Sequence, residues 1–154
     1  MPVNPIPPGY EGATPYLSIA GAAKALDFYK AAFGAKETMR IGPPEGPVAH
    51  AEMQIAGRAN IMLAEEFPDM GFRGPKSIGG TPVNIMVYVD DVDAFVARAV
   101  AAGATLKKPV QDQFYGDRSG SLEDPFGHSW TFATHKEDVS PEEIGARAAK
   151  LFGG

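Results

Sequence analysis

Thr14-Pro15-Tyr16-Leu17-Ser18-Ile19 leads into a segment from Ala22 to Phe33 that stops at Gly34. Asn84-Ile85-Met86-Val87-Tyr88-Val89 leads in the same way into Val92 to Ala102, which stops at Gly103. Each pair reads as a strand followed by a helix. Ala22, Leu26, Tyr29 and Phe33 share one helical face, as do Val92, Val96, Ala99 and Gly103. A glycine after the last periodic residue is a natural helix stop. Asp90 or Asp91 is placed to cap the second helix, and Asp93 sits near its positive end. A repeat of this size means two similar half-modules, neither of which closes a core alone.

After each helix come three short strand candidates. In the first half they are Lys36–Ile41, Pro47–Ile55 and Arg58–Glu65, the last two joined by a tight turn at Ala56-Gly57. In the second half they are Thr105–Lys108, a segment near Ser119–Leu122, and His128–Thr134. Asp124-Pro125-Phe126-Gly127 has the residues of a type I turn. Each half therefore reads β-α-β-β-β, which predicts an α+β fold of two βαβββ modules forming an open, curled mixed sheet. The predicted division is an extended, proline-rich arm over 1–11 and one domain over 12–139. That domain comprises a first module over 12–66, a loop over 67–80 and a second module over 81–136. A C-terminal helix follows over 140–154, started by Ser140 as cap, Pro141 and Glu143. Two Gly/Pro-rich loops stand out, Glu66 to Gly80 between the halves and Val110 to Gly120 inside the second half. Loops of that length are either lids and binding loops or plain linkers.

The 154 residues carry a formal net charge of −5, with no Lys/Arg cluster, which argues against nucleic acid or an anionic membrane surface as partner. No apolar run reaches the ~18 residues that span a bilayer, and the N-terminal stretch has neither the basic nor the apolar part of a secretory signal. The sequence contains no cysteine. This fits the cytoplasm and excludes disulfides, thiolate metal sites and cysteine nucleophiles.

Strand side chains alternate between two faces, and here the faces differ. Pro15, Leu17 and Ile19; Ala49, Ala51, Met53 and Ile55; Ile61 and Leu63; Ile85, Val87 and Val89; Trp130 and Phe132 form an apolar set that belongs under the helices. Thr14, Tyr16 and Ser18; Val48, His50, Glu52 and Gln54; Asn60, Met62 and Ala64; Asn84, Met86 and Tyr88; Ser129, Thr131 and Ala133 form a mixed set of hydroxyls, amides and thioethers with one His and one Glu. A sheet curled around the mixed face encloses a cleft of the kind that binds small molecules. The residues expected to line it are Tyr16, Met62, Asn84, Met86, Tyr88 and Thr131, with Phe114, Tyr115 and Arg118 from the second loop. His50 and Glu52, two residues apart on one face, are the candidate catalytic pair, a general base and its orienting partner, or else an ion pair at a surface or dimer interface. Asp117 and Arg118 read as a salt bridge within their loop or as guards of the pocket mouth. His128 and His135 read as surface residues and Trp130 as core. There is no G-x-S-x-G, no H-E-x-x-H and no phosphate loop.

The repeat, together with Ala25-Leu26-Asp27-Phe28-Tyr29 and Phe33-Gly34-Ala35, resembles the vicinal oxygen chelate superfamily. That superfamily includes glyoxalase I, extradiol dioxygenases and the bleomycin and fosfomycin resistance proteins. His50-Ala51-Glu52, Ile61 to Pro68, Tyr115-Gly116-Asp117-Arg118 and the run from Asp124 to Trp130 and on through Ser140 are similar to its PhnB-like branch. The resemblance covers about Gly12 to Glu143. It implies paired modules around an open barrel, usually in a homodimer with shared or exchanged modules. It also implies four cleft positions that hold a metal in metal-dependent members, which here fall on Thr14, Ile61 or Met62, Asn84 and Thr131. None of these is a good ligand for a divalent ion. The expectation is no metal at those positions and no cofactor, with a relocated divalent site through His50 and Glu52 as the alternative. Some proteins of this branch are labelled methyltransferases, but no glycine-rich cofactor loop follows the first strand here. The leading functional reading is a cytoplasmic, homodimeric binder of a neutral or cationic, partly aromatic small molecule, with no nucleic-acid or membrane partner. The alternatives are a lyase- or oxygenase-type enzyme using His50 and Glu52, and an interaction protein with a vestigial pocket.

Overall fold

The computed structural model describes residues 2–153. Strand β1 (Tyr16–Ile19), helix α1 (Ala22–Phe33) and strands β2 (Lys36–Ile41), β3 (His50–Ile55) and β4 (Ala59–Glu65) form the first half. The second half repeats the order with β5 (Asn84–Tyr88), a helix at Val92–Ala102, β6 (Thr105–Asp112), β7 (Asp117–Glu123) and β8 (Ser129–His135). Between them the linker forms a 3-10 turn (Pro68–Met70) and a short helix α2 (Pro75–Ile78), so the later helices are α3 (Val92–Ala102) and α4 (Pro141–Phe152). Hydrogen bonding gives two open four-stranded sheets of identical topology, β1-β4-β3-β2 and β5-β8-β7-β6. In each, the first strand runs parallel to the last and the other pairs are antiparallel. This is the predicted α+β plan.

Both helices end as the sequence predicts, on Gly34 and Gly103. Their starts differ. Asp91 caps α3 with its own side chain, accepting from Ala94 N. Gly21 precedes α1 and has no side chain to offer, so Glu65 at the end of β4 accepts from Gly21 N at 2.8 Å and Ala22 N at 2.9 Å. A carboxylate there satisfies two orphaned amides and meets the positive end of the helix dipole. Ala56 and Gly57 both have positive φ, 52° and 67°, the signature of a two-residue hairpin turn.

Two expectations fail locally. Val110 to Gly120 is not a long loop. β6 continues to Asp112 and β7 begins at Asp117, leaving a tight turn in which Gly116 N donates to Gln113 O at 3.1 Å. Pro109 disguised the strand, yet β6 is an edge strand and its pairing with β7 shifts register between Lys108 and Gln111. An edge position with a bulge is where a strand accepts proline. Upstream of β3 the alternation also breaks: Val48 is buried and Ala49 exposed, because the regular strand starts only at His50.

The two halves share one core. Phe33 of α1 lies 5.0 Å and 4.9 Å (ring centroids) from Trp130 and Phe132 of β8 and stacks on Phe95 of α3 at 5.9 Å. Arg98 of α3 donates to the carbonyls of Lys30 and Ala31 at 3.2 and 2.8 Å, placing a cation at the negative end of α1. Asp124, in the turn before β8, accepts from the Tyr29 hydroxyl of α1 at 2.5 Å, Trp130 Nε1 at 2.9 Å, Phe126 N at 2.9 Å and His128 N at 3.0 Å. α4 is capped by Ser140 and has no fully buried residue. Among the described residues no helix is long and apolar enough to cross a membrane.

Candidate functional site

Cross-strand register puts Tyr16, His50, Glu52, Met62, Met39 and Ile41 on one face of the first sheet, opposite the buried Leu17, Ala51, Met53, Ile61 and Leu63. The three polar groups are connected. Glu52 Oε1 lies 3.2 Å from His50 Nε2, and His50 Nδ1 lies 2.6 Å from the Tyr16 hydroxyl. The second oxygen of Glu52 accepts from the hydroxyl of Tyr10. That arm residue is brought over the sheet by a turn at Pro7–Tyr10 and by Asn60 Nδ2 donating to Gly9 O at 2.6 Å. Tyr10 first, then His50, hold the Glu52 carboxyl below its usual range. An ionised Glu52 only accepts, so His50 Nε2 carries a proton, and in the neutral imidazole this leaves Nδ1 to accept the Tyr16 O–H. The result is a carboxylate–imidazole–phenol chain that ends on a half-exposed hydroxyl, Tyr16 being 47% exposed.

The linker walls this face. Phe67 and Phe72 bridge each other through their backbones, and Phe72 meets Tyr16 edge-on at 5.6 Å. Gly74 lies so close to β1 that a Cβ there would sit 2.6 Å from the Ser18 carbonyl oxygen. A cavity of about 360 Å³ lies among Tyr16, Ala49, Ala64, Phe67, Met70 and Phe72. A second, of about 410 Å³, shares Tyr16 and Phe72 and is also lined by Ser18, Arg73, Ile85 and His128. His128 is half-buried, its Nε2 donating to the Ser18 carbonyl at 3.1 Å.

The second sheet carries different chemistry. Asn84 Nδ2 donates to Thr131 Oγ1 at 2.8 Å, and Thr131 shares a further 2.8 Å hydrogen bond with Ser121. The Tyr88 hydroxyl donates to the buried Asp117 at 2.6 Å. This bond, aided by desolvation, pushes the phenol up to about 12. The other oxygen of Asp117 is 2.7 Å from His135 Nδ1, and His135 Nε2 is 2.8 Å from Asp138. Tyr115 and Ile144 complete a cavity of about 510 Å³ beside this chain.

Asp117 and then Asp138 raise the His135 pKa above its ordinary value. A raised folded pKa contributes stability that is complete below the unfolded value, ~6.5, and is lost as pH rises through the folded one. His135→Gln is therefore expected to lower the denaturation midpoint more at about pH 6 than at about pH 9. Equal losses at both pH values in chemical denaturation would show that the imidazolium contributes nothing.

Arg118 does not pair with Asp117 and does not share its face of the sheet; it lines a separate cavity of about 270 Å³ with Asp93, Thr134 and Lys136. It projects from the other face of β7 to Asp93 of α3, at 2.7 and 2.9 Å, and to Asp112 at 3.1 Å, because adjacent strand residues point oppositely. Phe114 and Tyr115 sit on the β6–β7 turn, where Phe114 meets Phe152 of α4 at 6.0 Å. Trp130 is fully buried. Of the expected lining, Tyr16 and Met62 join His50 and Glu52 on the first sheet, while Asn84, Met86, Tyr88 and Thr131 share the second. Sequence reading missed Tyr10, whose arm carries no periodic signal. It also missed Phe67, Met70 and Phe72, although two aromatics flanking a short Pro/Gly turn were a usable sign of a wall.

The sequence model of the Glyoxalase/Bleomycin resistance protein/Dioxygenase superfamily matches residues 17–132. The chain belongs to this superfamily. An uncharacterized protein of Mycobacterium tuberculosis is 43% identical over 136 residues, 86% of this chain and 79% of its own length. An uncharacterized protein of Arabidopsis thaliana is 31% identical over 125 residues, 77% of this chain and 74% of its own. Among solved structures, TioX from Micromonospora sp. ML1 has a TM-score of 0.65 at 26% identity, covering 84% of this chain and 100% of that one. The fosfomycin resistance protein FosX of Listeria monocytogenes shares the fold, with a TM-score of 0.59 at 20% identity over 86% of this chain and 96% of its own.

Within the superfamily's plan, the cleft positions that carry metal ligands in metal-dependent members can be checked against the structure. Ile61 is buried under the helices, so Met62 is the residue on the open face. Thr14 precedes β1, and Asn84 and Thr131 are hydrogen-bonded to each other. A thioether, an amide and two hydroxyls lack the charge and basicity that hold a divalent ion, so these positions do not fit one. Among the described residues, no three His, Asp or Glu side chains converge as a metal-ligating group.

Proposed function

We propose that this protein binds a small, partly aromatic molecule on the open face of its first sheet and does so without the metal-ligand set of its metal-dependent relatives. The observation that carries this reading is the pairing of a cavity of about 360 Å³, walled by Phe67, Met70, Phe72 and Tyr16, with convergent polar groups at His50, Glu52 and Tyr16. A few oriented polar groups on an apolar wall are the usual makeup of a ligand site. The neutral Asn84–Thr131 pair supports the metal-free half of the proposal. A homodimer belongs to the same proposal, supported by Met39, Ile41, Tyr16, Met86 and Tyr88, all roughly half exposed, more apolar surface than a lone domain usually leaves wet. So do placement in the PhnB-like branch, supported by Tyr115-Gly116-Asp117-Arg118, and a cytoplasmic setting, supported by a cysteine-free chain.

The second reading is an enzyme of the lyase or oxygenase type, favoured by the His50–Glu52 contact. Metal analysis of protein purified without chelator, followed by a calorimetric screen of neutral and cationic aromatics against the wild type and His50→Ala, tests both. A binder keeps its fold and shows only a modest affinity change in the variant. An enzyme loses turnover by roughly 10²- to 10⁴-fold, the usual worth of a general base. Near-stoichiometric zinc, iron, manganese or nickel, or no saturable ligand, would overturn the proposal.

A further inference from the structure

We propose that Glu52, His50 and Tyr16 form a proton relay with its outlet at the Tyr16 hydroxyl, and that the ligand it serves is a planar, weakly acidic aromatic. This rests on the ligand-binding reading of the same face. The order of the chain is fixed by hydrogen bonding. Tyr10 and His50 each donate to one oxygen of Glu52, so both oxygens are engaged and the carboxylate favours the Nε2–H form of the neutral imidazole. His50 Nδ1 then faces the Tyr16 hydroxyl at 2.6 Å, and the two rings lie 5.4 Å apart. Met39 and Ile41 from β2 and Met62 from β4 stand opposite these residues in the strand register. Tyr10 is the titratable group that the N-terminal arm adds, and Arg73 of the linker and His128 of the turn before β8 share a cavity with Tyr16. Apolar neighbours keep the chain short of competing partners and strengthen its electrostatics.

Tyr16 is shared between this chain and the aromatic cavity, so a flat ring bound among Phe67, Met70 and Phe72 presents an acidic O–H or N–H to it. The proton balance closes without a co-reactant. The ligand's O–H or N–H bond breaks as its proton bonds to the Tyr16 oxygen, and the former Tyr16 proton passes to His50 Nδ1. The ligand becomes an anion hydrogen-bonded to Tyr16, His50 becomes an imidazolium, and Glu52 stays ionised beside it. Tyr16 is the residue that touches the ligand; His50 receives the proton and Glu52 positions and neutralises.

Para-nitrophenol is a suitable probe because its anion absorbs visibly. Titrating the bound probe against pH should show ionisation at least about one pH unit below that of the free probe, a tenfold change in the equilibrium. Well below the probe's ionisation, where it binds as the neutral phenol, Tyr16→Phe should bind it with affinity within about threefold of wild type, since the ring is kept, and the variant should lose the shift. Glu52→Gln should reduce it. Tyr16 is half exposed, so its phenylalanine variant is expected to fold, which circular dichroism checks. A bound probe that ionises at the same pH in wild type and Tyr16→Phe would overturn the relay and leave the binding proposal standing. Failure of the wild type to bind the probe saturably would overturn the ligand class itself.

Discussion

Asp124→Ala is expected to cost roughly 3 to 5 kcal/mol of stability and to shift the unfolding midpoint down by about 6 to 20 °C. The carboxylate is 3% exposed and takes four hydrogen bonds. Two of its donors, the Tyr29 hydroxyl and Trp130 Nε1, lie in the core and have no water to turn to. Each buried donor left unsatisfied costs about 1–3 kcal/mol, and the backbone donors of the turn add to that. Burial and the Asp124 charge also push the Tyr29 phenol well up, so it stays a donor over the whole working pH range. Asp124→Asn keeps the shape and one acceptor but loses charge and acceptor capacity, and a loss of about 1–3 kcal/mol is expected. Thermal melts followed by the single tryptophan, which is itself in the network, measure both. An alanine variant within about 1 kcal/mol of wild type would mean that Tyr29 and Trp130 find other partners and that the network does not join the halves.

Gly116→Ala is expected to destabilise by roughly 2 to 6 kcal/mol, combining a strained backbone with a steric clash. Gly116 has φ 103°, and a Cβ there would lie 2.2 Å from the Glu137 carbonyl oxygen and 3.0 Å from Val139 Cγ2. Its own carbonyl accepts from Lys136 N and Glu137 N, both at 2.9 Å. The residue thus fastens the tail after β8 to the β6–β7 turn, and the neighbouring Asp138 and Tyr115 line the second sheet's cavity. The effect should therefore be local as well as global. Backbone amide exchange at 136–139 should speed up in the variant beyond what global unfolding explains, whereas unchanged exchange there would contradict the fastening role.

The repeat was legible because helices and strands stamp periods on the sequence: α1, α3 and β2 keep the expected bounds, and β5 ends one residue early, at Tyr88. What eluded sequence reading has two causes. Pro109 and Gly120 gave the end of β6 and the start of β7 the composition of a loop, and only the pairing of β7 with β8 and of β6 with β7 extends them as strands. The face alternation was right for β3 from His50 onward and wrong at Val48, which precedes the regular strand. For the candidate site, His50 and Glu52 were visible from spacing of two on a mixed face, and Tyr16 and Met62 from the same alternation. Tyr10 was invisible, since it reaches Glu52 from an arm with no regular structure. Asp117 and Arg118 read as loop neighbours, but they are adjacent residues of strand β7, so their side chains leave opposite faces of the sheet. Asp124 read correctly as a turn former, but its bond to Tyr29, 95 residues away in sequence, has no local signature.

The unequal helix starts bear on the order in which the chain can assemble. Helix α3 carries its cap in its own sequence, at Asp91, so its first turn can form from local residues. Helix α1 does not: the group that satisfies its leading amides is Glu65, more than forty residues further along. Nucleating a helix is already unfavourable, and closing that long a loop first adds an entropic cost. The half made first on the ribosome is thus the half whose helix must wait for its sheet, while the later half holds the better local seed.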